Sequence, residues 1–218
     1  DDLYVVDGGN GRIQKFDSKG RFVTSWGSAG TADGQFRFLK GSFGGVAVDT
    51  QSNVYVADTE NARVQKFDGT GQFLAKWDSR GTADGQFVNP TNITVDPQNN
   101  VYVLDIDRST NRVQKFDSNG KFLLQWGSFG IEDGQFVFLD LGGLAADAQG
   151  TIYVADPNNL RVQKFDASGK FMSKWSTCGP ERPEMSPIGV ATDTQGNIYI
   201  ADAAGSRLCK FDGEGHFL

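Results

Sequence analysis

Proton transfer and nucleophilic attack at neutral pH need a histidine, an activated thiol or paired carboxylates, and this 218-residue sequence supplies them unevenly. It holds one histidine, His216, and two cysteines, Cys178 and Cys209, against 27 acidic side chains. A metal centre built from several imidazoles is excluded, and no Ser or Cys nucleophile has a histidine base available, given where His216 sits. What remains is carboxylate-only or calcium-assisted hydrolysis. Binding to a polyanion is disfavoured, because 21 Lys and Arg leave a formal net charge of −6. No stretch approaches the roughly 18 consecutive apolar residues of a membrane span. The chain opens on Asp1 and Asp2 rather than on a signal peptide, and it reads as a soluble domain with no membrane insertion.

The aspartates are not scattered. Asp7, Asp58, Asp105, Asp156 and Asp202 each close a β-branched or aromatic run, and each is followed by an arginine: Arg12, Arg63, Arg112, Arg161 and Arg207. A segment reading x-Val-Gln-Lys-Phe-Asp, with variations, then places Phe16, Phe67, Phe116, Phe165 and Phe211 at spacings of 51, 49, 49 and 46 residues. All four tryptophans, Trp26, Trp77, Trp126 and Trp175, keep the same beat. Within one period, four short runs are separated by turn residues: Val46 to Val48, Val54 to Asp58, Arg63 to Phe67 and Phe73 to Trp77. We denote them strands a, b, c and d. The a and b runs do not alternate apolar with polar residues, so both faces of these inner strands are expected to be buried. Four strands repeating at this period predict an all-β propeller, with the Phe and Trp landmarks wedged between blades. Strand a occurs four times and b, c and d five times each, for 19 strands. The first blade is expected to lack its inner strand and the last to have a truncated outer one. Residues 1–218 therefore read as a single propeller domain of about five blades, a piece of a longer protein, with open sheet edges that invite self-association.

Gly-Val-Ala-Val-Asp, Asn-Val-Tyr-Val-Ala-Asp, Asn-x-Arg-Val-Gln-Lys-Phe and Gly-x-x-Asp-Gly-Gln-Phe, taken together, resemble the NHL repeat, and the likeness runs through all five periods. The resemblance implies a β-propeller that serves as a binding scaffold, an RNA reader or, in a few cases, a lyase. NHL-like amidating lyases hold zinc with histidines at the channel mouth, a set that His216 alone does not supply. RNA reading needs a basic loop face, whereas Lys15, Lys66, Lys115 and Lys164 recur inside strand c.

A feature shared by every blade is first explained by the fold, so specific recognition is sought where the repeat breaks. The Asp–Arg pairs recur throughout and read as structural, as do the Gly-x-x-Asp-Gly-Gln-Phe loops at Gly30 to Phe36, Gly81 to Phe87 and Gly130 to Phe136. The d–a and b–c connections share one face of a propeller. Insertions there carry Phe38, Leu39, Lys40 and Phe43 in one loop and Phe138, Leu139, Asp140 and Leu141 in another. Their apolar residues either pack over the channel mouth or form a recognition patch. The third b–c turn adds Ile106, Asp107 and Arg108, and the loop after Trp175 replaces the shared motif with a stretch containing Arg182. The expected function is a non-catalytic module binding a protein or other ligand through Lys40, Phe43, Asp107, Arg108, Phe138, Asp140 and Arg182, with no metal or cofactor. A carboxylate- or calcium-dependent, lactonase-like hydrolase is the alternative, and an RNA-binding domain a further one. Cys178 and Cys209 are either buried free thiols or a disulfide holding the irregular loop, which would indicate an oxidising compartment. A secreted or cell-surface location fits the acidic, well-punctuated repeats better than a cytoplasmic one.

Overall fold

The computed structural model describes residues 2–38, 44–77, 79–107, 110–139, 141–179 and 185–218. Each x-Val-Gln-Lys-Phe segment forms a strand paired on both sides, and the sheets are consecutive antiparallel meanders. Blade one contains β1 (Leu3–Asp7), β2 (Arg12–Phe16) and β3 (Phe22–Trp26). Blade two contains β4 (Val46–Val48), β5 (Val54–Asp58), β6 (Arg63–Phe67) and β7 (Phe73–Trp77). Blade three is β8 (Pro90–Val95), β9 (Val101–Asp105), β10 (Arg112–Phe116) and β11 (Phe122–Trp126). Blade four is β12 (Gly143–Ala146), β13 (Ile152–Asp156), β14 (Arg161–Phe165) and β15 (Phe171–Trp175). Blade five has β16 (Pro187–Thr192), β17 (Ile198–Asp202) and β18 (Arg207–Phe211). This is the expected five-blade all-β propeller, with one difference in count. The fifth outer strand contracts to an isolated bridge between Phe217 and Phe211, leaving 18 strands among the described residues rather than 19.

The turns are built by aspartates. At each a–b turn one carboxylate holds the chain: Asp49 Oδ1 accepts the Gln51 and Asn53 N–H groups, and its Oδ2 accepts the Asn53 amide and the Tyr55 hydroxyl. Asp17, Asp68, Asp117, Asp166 and Asp212 cap the c–d turns through the same local bonds to backbone N–H groups. Much of the acidic composition is therefore turn chemistry.

Blades pack through repeated aromatic triads. Phe67 of β6 meets Trp26 of the preceding blade at 5.9 Å between ring centroids, and Phe36 of the connecting loop at 5.7 Å. Phe116 does the same with Trp77 and Phe87, and Phe165 with Trp126 and Phe136. Aromatic wedges of this size each bury on the order of 150–250 Å². Strand b is buried on both faces in β5, β9 and β13, as expected. Strand a is not: Val48 at the end of β4 is exposed. The reason is tertiary, because β4, β8, β12 and β16 line a central space of about 430 Å³ instead of packing against another sheet.

Candidate functional site

The channel wall is the first place to seek an active centre. The described side chains lining it, among them Val46, Ile93, Thr94, Leu144, Val190 and Thr192, include no titratable group. At the a–b turn mouth, Asp49, Asp96, Asp147 and Asp193 do converge around a space of about 300 Å³. Their oxygens, however, face their own turns. Asp96 repeats the Asp49 arrangement through Gln98, Asn100 and Tyr102, and Asp147 does so through Gln149, Thr151 and Tyr153. Burial, first of all, pushes the Tyr55, Tyr102 and Tyr153 hydroxyls up, and the adjacent Asp carboxylates add to it, so these phenols stay protonated as donors.

The second set of aspartates, at the b–c end, is equally occupied. Asp58 takes the Arg37 N–H on one oxygen and Asn61, Arg63 and Gln65 on the other, with Arg63 Nε at 2.6 Å. Arg63 also donates to the Thr31, Ala32 and Gln35 carbonyls, tying the incoming loop to its blade. Arg112 and Arg161 repeat this clamp. Burial raises the carboxyl pKa of Asp105 and of Asp156, against hydrogen bonds led by the Asn89 N–H in the first and the Asn159 amide in the second. In Asp202 burial also acts upward, but the Ser186 N–H and Arg207 outweigh it and the net shift is downward. The Asp–Arg pairs are thus structural clamps, as read from their recurrence. Lys15, Lys66, Lys115 and Lys164 likewise each donate to a backbone carbonyl of the next blade.

Of the seven proposed contact residues, Lys40, Phe43, Arg108, Asp140 and Arg182 lie outside the described residues. Asp107 is half-buried in the long third b–c turn, where its carbonyl accepts the Asn111 amide at 2.7 Å. Phe138 does not present itself for recognition: it is 3 % exposed, stacks on Phe136 at 5.3 Å, and joins Ile106 and Leu144 in the core. Asn111 Oδ1 fixes it by accepting its backbone N–H, so this insertion folds inward. Cys178 and Cys209 are joined in a disulfide. Asp202 lies close to both sulfurs, a spacing that could suggest metal ligands, but the sulfurs bond each other and Asp202 is engaged by Ser186 and Arg207.

The disulfide stands where a glutamine stands in the other blades. Gln65, Gln114 and Gln163 each grip the Asp-Gly-Gln loop, accepting one N–H and donating to one carbonyl. The loop after Trp175 lacks that motif, and a covalent bond takes over the grip.

What stands free on the loop face is a corner of blade four. Phe129 is 57 %, Ile131 71 %, Leu139 66 % and Leu160 43 % exposed. Hydrogen bonds hold their backbones together: Asn158 Oδ1 accepts the Leu139 N–H, Asn159 donates to the Gly130 carbonyl, and Arg161 donates to the Ile131 carbonyl. The equivalents of Phe129 are Ala29 and Arg80, and those of Ile131 are Thr31 and Thr82. Leu160 sits at φ 54°, a left-handed position filled elsewhere by Gly11, Ala62, Asn111 and Ser206. Comparing loop lengths missed Phe129, Ile131 and Leu160; comparing the repeats position by position would have found them.

Consecutive three- and four-stranded meanders around a central channel, wedged by aromatic triads, define a β-propeller. The NHL repeat model matches residues 44–67, 87–116 and 138–165. The chain thus carries NHL repeats, set in consecutive blades of a β-propeller. It is 38 % identical over 65 residues to Protein brain tumor of Drosophila melanogaster, a match covering 28 % of this chain and 6 % of that protein. Among solved structures it resembles virginiamycin B lyase from Staphylococcus aureus, with TM-score 0.69, 11 % identity, and 100 % of this chain against 65 % of the other. It also resembles a gluconolactonase from Xanthomonas campestris, with TM-score 0.64, 19 % identity and 100 % against 70 % coverage. A chain of the nidogen/laminin complex gives TM-score 0.70, 18 % identity and 100 % against 74 % coverage. The shared fold thus serves both enzymes and a protein complex. No helix among the described residues is long and apolar enough to cross a membrane.

Proposed function

We propose that this chain is a non-catalytic protein-binding module that engages its partner through the loop face of the propeller. The observation that carries this reading is the apolar corner of Phe129, Ile131, Leu139 and Leu160, exposed in blade four where the sister positions of Phe129, Ile131 and Leu160 are small or polar. Exposed apolar groups held on a rigid backbone lose little entropy on contact, which is how anchor residues contribute most of a binding energy. Leu160 adds weight, because a leucine in left-handed backbone costs on the order of 1 kcal/mol that asparagine or glycine would not. Engaged carboxylates, a channel wall without titratable groups and lysines bonded into neighbouring blades favour this reading over the hydrolase and RNA alternatives. The disulfide favours an oxidising, secreted or cell-surface setting.

The test is selection of displayed peptides on the wild-type protein, followed by affinity measurements on I131T and L160N, which install residues found at sister positions. Apolar peptides are expected, weakened about tenfold or more by each substitution. The thermal midpoint of L160N should be equal to or above that of the wild type. Selected peptides that bind both variants as tightly as the wild type would overturn the reading.

A further inference from the structure

Blade four has a blade packed on either side of it, and the apolar corner on its loop face is accompanied by a charge that the sister loops lack. Residues 127–142, which lead into blade four, carry Glu132, Asp133 and Asp140 and no Lys or Arg. The loops into blades two, three and five each carry an arginine, Arg37, Arg80 and Arg182, and Phe129 itself stands where Arg80 stands. Asp133 belongs to the fold: Lys174 of strand d pairs with it, as Lys76 pairs with Asp33 and the Gln125 amide donates to Asp84. Glu132 has no such duty. Its sister positions are Ala32 and Ala83, it is exposed, and among the described residues its carboxylate has neither an ion pair nor a hydrogen bond.

The bonds that hold the corner also hold this charge. Gln135 Oε1 accepts the Glu132 N–H at 3.1 Å, and Arg161 donates to the Ile131 carbonyl from Nη1 at 2.8 Å and to the Glu132 carbonyl from Nη2 at 2.9 Å. The backbone of Glu132 is thus fixed on both sides, with its Cα about 3.8 Å from that of Ile131. Leu160 directly precedes the arginine that makes this clamp, and Asn159 ties the same turn to the Gly130 carbonyl. Arg161 is buried, with its Nε on Asp156 and its other nitrogens on backbone carbonyls. An unpaired carboxylate therefore stands on a rigid frame at the edge of the exposed apolar side chains.

We infer that the partner segment this corner accepts carries an arginine or lysine flanking its apolar residues, the cation meeting Glu132 while the apolar side chains cover Phe129, Ile131, Leu139 and Leu160. This inference rests on the reading of the corner as a protein-binding site and adds the charge of what it binds. Arginine suits the position better than lysine, since its planar guanidinium takes both carboxylate oxygens at once. An exposed ion pair contributes little affinity by itself, but one at the edge of covered apolar surface is partly desolvated, and a fixed charge selects among apolar partners and speeds their encounter. A segment with acidic flanks, or a nucleic-acid phosphate, meets like charge here.

A random peptide library selected in parallel on the wild type and on E132A tests this, followed by titration of the tightest wild-type peptide against the wild type, E132Q and I131T. Glu132 is exposed and unpaired, so both of its variants should melt as the wild type does. Peptides taken from the wild type should be enriched in Arg or Lys beside apolar residues, and those taken from E132A should not. The chosen peptide should bind E132Q about three- to tenfold more weakly, and should lose as much when its own cation becomes glutamine, the two changes together costing no more than either alone. Raising the salt from about 20 to about 200 mM should weaken its binding to the wild type more than to E132Q. A peptide weakened by I131T and indifferent to E132Q, or selections with no difference in basic residues, would overturn the inference while leaving the apolar corner as the site. A peptide that binds I131T as tightly as the wild type, or a library that yields no binder, would overturn the reading of the corner and this inference with it.

Discussion

Single carboxylates in this protein do one of two structural jobs, and burial decides how much each is worth. Asp58 and Arg63 are both buried and paired at 2.6 Å, whereas Asp7 and Arg12, the same pair in blade one, are partly exposed. Removing one member of a buried pair leaves the other charge stranded in a poor dielectric. D58N should therefore lower the unfolding free energy by about 3 kcal/mol, and D7N by clearly less, as read from urea titrations. Equal losses would show that burial is not what separates them. The turn aspartates act through pH instead. The Asn197 amide, more than any other group, holds Asp193 down to about 2, and Asp17, Asp68, Asp166 and Asp212 are lowered chiefly by bonds from Arg21, Thr70, Ser168 and His216 respectively. A carboxyl whose native pKa is depressed contributes stability above its unfolded value, and that contribution disappears as pH falls through the native value. Asp105 and Asp156, raised by burial, act in the opposite sense and lose their contribution as pH rises. Since the lowered groups are the more numerous, the calorimetric midpoint should hold above about pH 5 and fall between about pH 4 and about pH 2. A flat acid limb would contradict this account of the turns.

Among the elements, the d–a loop is where one blade is fastened to the next, and the chain uses two kinds of fastener. Three loops are gripped by a glutamine and an arginine from strand c of the blade they enter. The loop into blade five is held by the Cys178–Cys209 bond, with Met185 buried in the core where other loops bury a phenylalanine. Joining residues 31 apart restricts the unfolded chain, an effect of roughly 3 to 4 kcal/mol at this loop length. The double variant C178S/C209S should therefore unfold at lower denaturant concentration by about that free energy, and a reducing agent should act alike on the wild type. C209Q alone should not rescue the loss, since the loop lacks the Asp-Gly-Gln segment that a glutamine would grip. Rescue by C209Q would mean that the bond and the glutamine clamp are interchangeable.

For the molecule as a whole, the arc of blades divides its residues into those that face a neighbouring blade and those that do not. Leu208 and Val64 stand at the same place in their strands, yet one is largely exposed and the other fully buried, because only the second has a blade beside it. Among the described residues β1 pairs with β2, and Asp2, Tyr4, Val48, Asp49, Thr50 and Ser52 border a space of about 450 Å³ beside it. The chain spans 65 % of the virginiamycin B lyase chain and 74 % of the nidogen/laminin chain it resembles.

The repeat alone determined the blades, their strand order, the aromatic wedges and the structural role of the Asp–Arg pairs. Those features are local in sequence and restated five times, so spacing and turn chemistry suffice to read them. Whether a loop aromatic points inward was decided only by tertiary contacts. Phe138 is buried because Asn111, from the preceding blade, fixes its backbone and Phe136 stacks on its ring, whereas Ile131, inside a motif that reads as purely structural, is left outside. The pairing of Cys178 with Cys209 was settled in the same way, since the loop carrying one and the strand carrying the other meet only when blade five closes onto blade four. A repeated pattern fixes what each blade shares, but exposure depends on which neighbour packs against each copy, and that is set by the arrangement of the blades in space.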